Sequence, residues 1–280
     1  MWYHISISFV SAKNTREVGP LAVRKLIVAS SKGGVGKSTV ALGVANALCD
    51  LGKKILLCDL DFENSCLDLF MGIENTALFN AGDVARGIAP VSKAILSNSR
   101  GLSFLSAPDA SSTENGIDDD YFESIVTALN GAIEFVKPDF VIFDTGTARR
   151  VPARLSESFP GSEALIVASH QSTSGRGAER TAATLEEHGI KSCSLVICGY
   201  EFYEASSGER NGLLAIIDTS KVPLLGVVPY DRELMLCSER GVKTPKGTPA
   251  GVAFGNIAKR ICGKRVRIFN GIGVSRKKII

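Results

Sequence analysis

The sequence predicts an α/β protein built on a mostly parallel, doubly wound sheet of about seven or eight strands, with helices on both faces. Three observations carry that expectation. Short apolar runs recur along the chain, and most are continuous rather than alternating, the pattern of strands covered on both faces. Segments with helical spacing lie between them, and strands alternating with helices make βαβ units. A glycine-rich turn links the first run to the first helical segment.

Residues 1–24 have mixed composition, no clear period and a Gly19-Pro20 turn signal, and read as a leader of uncertain structure. Regular patterning begins at Lys25. The strand candidates are 26–29, 55–58, 102–105, 140–143, 164–167, 195–198 and 224–228. The first helix is expected from 36 to about 51, with Gly52 as its stop. The clearest helix is 119–137, where Phe122, Ile125, Val126, Leu129, Ile133 and Val136 share a stripe. Asp118, Asp119 and Asp120 suit the positive end of its dipole, and Pro138 follows its end. No internal repeat and no long linker divides the chain. Residues 25–263 therefore read as one domain, followed by a basic tail over 264–280.

With 280 residues, 45% hydrophobic and 22% charged, the chain is of ordinary globular composition, which excludes collagen-like, low-complexity and disordered classes. No apolar run reaches the ~18 residues that cross a bilayer. The first ten residues lack the basic stretch and small-residue cleavage site of a signal peptide. Seven cysteines, an odd number with no CxxC pair, argue against a disulfide framework or a structural zinc site. The expected location is cytoplasmic. Charge is uneven: residues 240–280 hold 11 Lys+Arg and no acid, so of 32 basic and 29 acidic residues the rest keeps 21 and 29. An acidic body with a basic tail points to an anionic surface as partner, lipid headgroups or nucleic acid. A merely solvated terminus is the plain alternative.

The strongest local signal is Ser31-Lys32-Gly33-Gly34-Val35-Gly36-Lys37-Ser38-Thr39, between the first strand and the first helix. Glycines let a backbone curl so that successive N–H groups face an anion, as Gly33, Gly34 and Gly36 permit around Val35. The helix that follows, with Thr39 in its first turn, adds its positive end. Lys37 is placed to neutralise terminal phosphates, and the Ser38 hydroxyl to hold Mg²⁺. The usual GxxxxGK[ST] form has glycine where Ser31 stands. Acids at strand C-termini belong to the ligand crevice of an open parallel sheet, and Asp59, Asp61 and Asp144 stand there. Any one of them alone reads equally as a turn or helix cap.

Lys32 makes the loop particular. Lys32-Gly33-Gly34-Val35-Gly36-Lys37-Ser38-Thr39 resembles the deviant phosphate loop of the MinD/ParA family of P-loop ATPases, the MinD side especially. Leu57-Cys58-Asp59-Leu60-Asp61 is similar to the family's switch I, and Leu67-Asp68-Leu69-Phe70-Met71-Gly72 to the MinD form of the stretch that follows. Phe140-Val141-Ile142-Phe143-Asp144-Thr145 resembles the Walker B strand, and Gly226-Val227-Val228-Pro229-Tyr230-Asp231 the segment beside the adenine. Together these span roughly residues 25–262.

The resemblance implies a P-loop NTPase sheet, ATP and Mg²⁺ as ligands, and a homodimer that closes when Lys32 reaches the other subunit's phosphates. It gives Asp61 the attacking water, places Asp59 and Asp144 in the Mg²⁺ shell with Ser38, and sets Pro229 and Asp231 against the base. It implies hydrolysis stimulated by a protein activator, and cycling on a surface to position cell-division or other machinery. The basic tail, with Ile268, Phe269, Ile272, Val274, Ile279 and Ile280, favours a membrane at the inner face of the cell. Gly271 and Gly273 argue against a stable amphipathic helix there. Alternatives are DNA contact of the ParA partitioning type, an extended tail packed on the domain, and a nucleotide-gated regulator of pilus or flagellar placement with negligible turnover. A capsule-type tyrosine kinase fits poorly, because no tyrosine follows Tyr230; a metal-cluster carrier lacks suitably paired cysteines. Three departures stand out. Asp144-Thr145-Gly146-Thr147-Ala148 lacks the family's proline; Ser169, His170 and Gln171 replace an asparagine with acidic side chains; and Gly199-Tyr200 carries neither Asn nor Arg. His170 is expected to be a hydrogen-bonded structural residue, with no catalytic part.

Overall fold

Every one of the seven apolar runs becomes a strand in the computed structural model, which describes residues 22–108, 118–147, 150–202 and 212–272. In chain order the strands are β1 (Arg24–Ala29), β2 (Ile55–Leu60), β3 (Ile95–Ser97), β4 (Leu102–Leu105), β5 (Phe140–Thr145), β6 (Glu163–Ser169), β7 (Cys193–Tyr200) and β8 (Leu224–Pro229). They form one sheet in the order β3-β4-β2-β5-β1-β6-β7-β8. All neighbours are parallel except β3 and β4, an antiparallel edge pair. The short β3 is the eighth strand, outside the seven runs.

Continuous apolar strands follow from burial on both sides. In β1, Ile27 and Ala29 join one core while Leu26 and Val28 join the other, and all four are fully buried. The first core is covered by α5 (Asp119–Val136), α6 (Arg150–Ser158), α7 (Ser172–Glu187) and α8 (Leu213–Ser220). The second is covered by α1 (Lys37–Cys49), α9 (Arg232–Glu239) and α10 (Pro249–Ile261). Here α1 and α10 approach closely, since a Cβ at Gly43 would meet the Phe254 ring at 2.4 Å. Three short helices, α2 (Leu67–Met71), α3 (Ala81–Ala85) and α4 (Val91–Ala94), lie between β2 and β3. The expected 119–137 helix is α5: the Asp118 side chain accepts from the Tyr121 N–H, and Lys137 ends it in the left-handed region before Pro138.

The chain after Gly263 differs from a free surface-binding tail. Ile268 and Phe269 pack against the core and Ile272 is buried, while Asn256 Nδ2 donates to the Asn270 carbonyl at 2.7 Å. Arg260 donates to the Val266 carbonyl. The packed body thus runs through Ile272, because apolar side chains beside α10 bury more surface there than in water. Residues 273–280, with the remaining tail, and residues 1–21 of the leader lie outside the described residues. Among those described, no helix is long and apolar enough to cross a membrane.

Candidate active site

The loop between β1 and α1 sits at the C-terminal edge of the sheet, in its middle. Gly34 and Gly36 adopt φ of +70° and +92°, in the left-handed region where glycine carries no penalty. Gly36 is the N-cap of α1, and no side chain caps that helix, so its first amides face an incoming anion. A side chain at Gly36 would also stand 2.7 Å from Cys198 Sγ on β7. Ser31, the departure from the glycine form, packs against α7, where a Cβ at Gly177 would stand only 2.7 Å from its Oγ. Lys37 is buried, and Ser38 is half-buried on the first turn beside Val35, itself buried, and Thr39. Lys32 is exposed; its ammonium donates to Gln171 Oε1 and, at 3.3 Å, to Thr173 Oγ1 at the start of α7.

Strand register brings the acids under this loop. Asp59 pairs with Asp144 across β2 and β5, and Asp144 pairs with Val28 of β1. The two carboxylates are used differently. Asp59 Oδ1 accepts from the Asp61 N–H at 3.0 Å, and its Oδ2 from Ser65 Oγ at 2.9 Å and the Leu67 N–H at 3.2 Å. It thereby braces the loop that leads into α2. Burial nonetheless pushes its carboxyl up to about 6. Asp144 is fully buried and neither of its oxygens has a hydrogen-bond partner. Burial pushes it up to about 8, against the opposing pull of the Ser38 hydroxyl and the Lys37 ammonium.

A buried, unpartnered carboxylate beside a hydroxyl and a phosphate loop fits Mg²⁺, which takes one or two protein oxygens and completes its shell with phosphate and water. No group of three His, Cys, Asp or Glu side chains among the described residues forms an all-protein metal cage. Asp61 is nearly buried, and its Oδ1 accepts from the Asn64 N–H at 3.0 Å. The turn after β5 lies directly over it: a Cβ at Gly146 would stand 2.8 Å from Asp61 Oδ1, and Thr147 packs against Gly33. Ser65, Gly146, Gln171 and Thr173 are the site residues that sequence reasoning missed. An i, i+6 pairing of acid and hydroxyl around a turn was the available signal for Ser65; the others depend on tertiary approach.

Lys32, Lys37, Ser38, Asp59, Asp61 and Asp144 therefore come together. Pro229 and Asp231 stand apart, at the end of β8, three strands from β1. Both oxygens of Asp231 cap helices, Oδ1 accepting from the Glu233 N–H and Oδ2 from the Ala250 N–H, each at 2.9 Å. His170 is buried with Nδ1 accepting from the Glu201 N–H, its ring 4.2 Å from that of Tyr200. That is the structural part expected of it. All seven cysteines are free thiols, and burial pushes Cys66, beside Ser38, up to about 11.

Comparison with known proteins places these motifs in context. A ParA family model, described as NUBPL iron-transfer P-loop NTPase, matches residues 22–262. The septum site-determining protein MinD of Synechocystis is 30% identical over 252 residues, covering 87% of this chain and 91% of that protein. The MinC:MinD cell division protein complex of Aquifex aeolicus contains a chain that superposes with a TM-score of 0.74 at 25% identity, covering 88% of this chain and 98% of that one. MinD from Pyrococcus horikoshii, solved with Mg-ADP, shares the fold with a TM-score of 0.67 at 23% identity, over 85% of this chain and 96% of that one.

Proposed function

The chain belongs to the ParA family of P-loop NTPases and is a MinD/ParA-type ATPase; from that premise we propose that it works as an ATP-driven surface switch. It binds Mg-ATP, clasps a second copy, and cycles on and off an anionic membrane to position cell-division or other cellular machinery. The observation that carries this reading is Asp144, a buried carboxylate with two unpartnered oxygens beside Lys37 and Ser38, which calls for a cation at a phosphate loop.

The chain's own groups have distinct tasks in the proposed cycle. The amides from Gly33 to Thr39 cradle the phosphates and Lys37 neutralises the terminal ones. Ser38 and Asp144 would hold Mg²⁺, which when bound offsets charge on the phosphate oxygens. Asp59 keeps the loop carrying Asp61 in place through Ser65 and Leu67. Asp61 orients the water that attacks the γ-phosphorus as the bond to the bridging oxygen breaks, giving ADP and phosphate. Lys32 exchanges Gln171 and Thr173 for the phosphates of the second copy. In this reading turnover is slow until a protein partner binds. With Ile268, Phe269 and Ile272 packed, membrane contact falls to the exposed Lys264, Arg265 and Arg267 and to Arg276, Lys277, Lys278, Ile279 and Ile280. Pro229 lies on the side of the base.

Calorimetry with Mg-ATP tests the core of the reading: wild type binds, and Lys37→Ala abolishes binding. Co-sedimentation with anionic liposomes and with duplex DNA, in ATP or ADP, tests the surface. Binding to DNA alone would move the protein to the partitioning class, and absent turnover on either surface would make it a nucleotide-gated regulator. A wild-type chain that ignores Mg-ATP would sink the proposal.

A further inference from the structure

A groove runs along the outer side of α1, walled by α1, α2, α9, α10 and the segment between the last two. Leu42 and Asn46 of α1, Phe70 of α2, Leu234 of α9, Val242 of the segment after α9 and Phe254 of α10 line it. Its floor is tight, with the Phe254 ring pressed against Gly43. Val242, on the groove wall, is 51% exposed; Leu69 of α2 and Met235 of α9, outside the lining but on elements that border it, are 50% and 52% exposed. Scattered exposed hydrophobics are ordinary, and the apolar lining beside Val242 is what distinguishes this one.

The far end of the groove is basic. Lys243 and Lys246 both approach Asp50, at 2.6 and 3.3 Å, and Arg100 lines the same end. Three cations face one carboxylate there, so positive charge is in excess at the mouth of an apolar trench. We propose that this groove is the docking site of an acidic amphipathic segment of a partner protein. The segment lays its apolar side chains between α1 and α9 and its carboxylates against Lys246 and Arg100.

Lining and charge select this occupant. Apolar walls beside a basic end match a peptide with one apolar stripe flanked by carboxylates, whereas an anionic bilayer matches the basic end alone. Apolar walls give the sugar–phosphate chain of a nucleic acid no partner. The end of a second copy, with Arg276, Lys277 and Lys278, meets like charge. The proposal stands independently of the ATP cycle, because it needs neither nucleotide nor dimer.

Fluorescence anisotropy on the full chain tests it with a fluorescein-labelled synthetic helix bearing Leu and Phe on one stripe and Glu elsewhere. A copy with Lys replacing every Glu serves as the second probe. The acidic probe is expected to bind at least about tenfold more tightly than the basic one, more weakly as salt rises. Val242→Asp and Lys246→Glu are each expected to weaken it about fivefold or more, with Mg-ATP affinity unchanged as the sign of an intact fold. Equal affinity for the two probes overturns the proposal, and so does wild-type affinity in both variants. It also falls if the acidic probe stays unbound while phosphatidylglycerol vesicles or duplex DNA bind through Val242 and Lys246.

Discussion

A carboxylate stripped of water and given no hydrogen bond is costly unless it stays protonated or meets a cation. Asp144 is in that position, and its carboxyl rises from 3.8 to about 8, with Asp59 rising to about 6. In the nucleotide-free chain the folded state therefore holds protons that the unfolded chain has already released. Between about pH 4 and pH 8 the folded state binds more protons, so stability is full at the acid end and declines as pH rises through that window. Thermal melts should show the transition falling from about pH 5.5 to 8, with Asp144→Asn removing most of the slope. An equal slope in that variant would count against the assignment. The turn over Asp61 makes a second residue-scale prediction. Gly146→Ala puts a methyl group 2.8 Å from Asp61 Oδ1, too close for contact, so the carboxylate must move. Single-turnover hydrolysis should slow by about tenfold to a hundredfold, while Mg-ATP affinity stays within about twofold. The sequence shows that Asp59, Asp61 and Asp144 gather, because each ends a parallel strand. It does not show that Asp59 is taken up by Ser65 and Leu67, or that Asp231 caps two helices. Those choices depend on which amides fold back onto each oxygen.

At the scale of elements, the strands are legible because central strands of this sheet bury both faces. In β5 all six residues are buried, and the sequence there is an unbroken apolar run up to Asp144. The edge strand β3 has three residues with partly exposed side chains, too short and too wet to leave a pattern. The stretch after Gly263 misleads for another reason: bases beside apolar residues suit a lipid surface and an extended strap equally well, and only the groove along α10 decides. Phe269, stacked edge-on to Phe202 at 5.6 Å, is the anchor of that strap. Phe269→Ala should therefore cost about 1–3 kcal/mol in denaturant unfolding, as for a partly buried aromatic. A chain ending at Gly263 should lose more, having given up Ile268, Phe269, Ile272 and the Asn256–Asn270 bond together. A chain ending at Ile272 should keep wild-type stability. Equal melting of all three would remove the strap from the account of the fold.

The whole molecule sets charge against charge. The 11 basic residues after 239 are not all available to a surface, for Lys243 serves Asp50 and Arg260 serves backbone carbonyls. Lys264, Arg265 and Arg267 are exposed, and Arg276, Lys277 and Lys278 follow the described residues. Each contributes about 1 kcal/mol near an anionic leaflet, too little for one acidic-bodied copy to hold firmly. Two copies joined through nucleotide turn the second attachment into an intramolecular event, raising overall binding by orders of magnitude without a new contact. Wild type with ATP should then sediment with phosphatidylglycerol-rich liposomes, and with ADP should not. Lys32→Ala should keep much of its ATP binding while losing both the dimer, by light scattering, and the liposomes. The chain ending at Ile272 should keep the ATP dimer and bind the liposomes more weakly, which separates clasping from attachment. Raising salt from about 0.05 to 0.3 M should release wild type while leaving its dimer intact, since exposed charges are screened and the enclosed phosphate site is not. Sedimentation that is equal in ATP and ADP would mean that doubling plays no part, and the link between the phosphate loop and the surface would have to be abandoned.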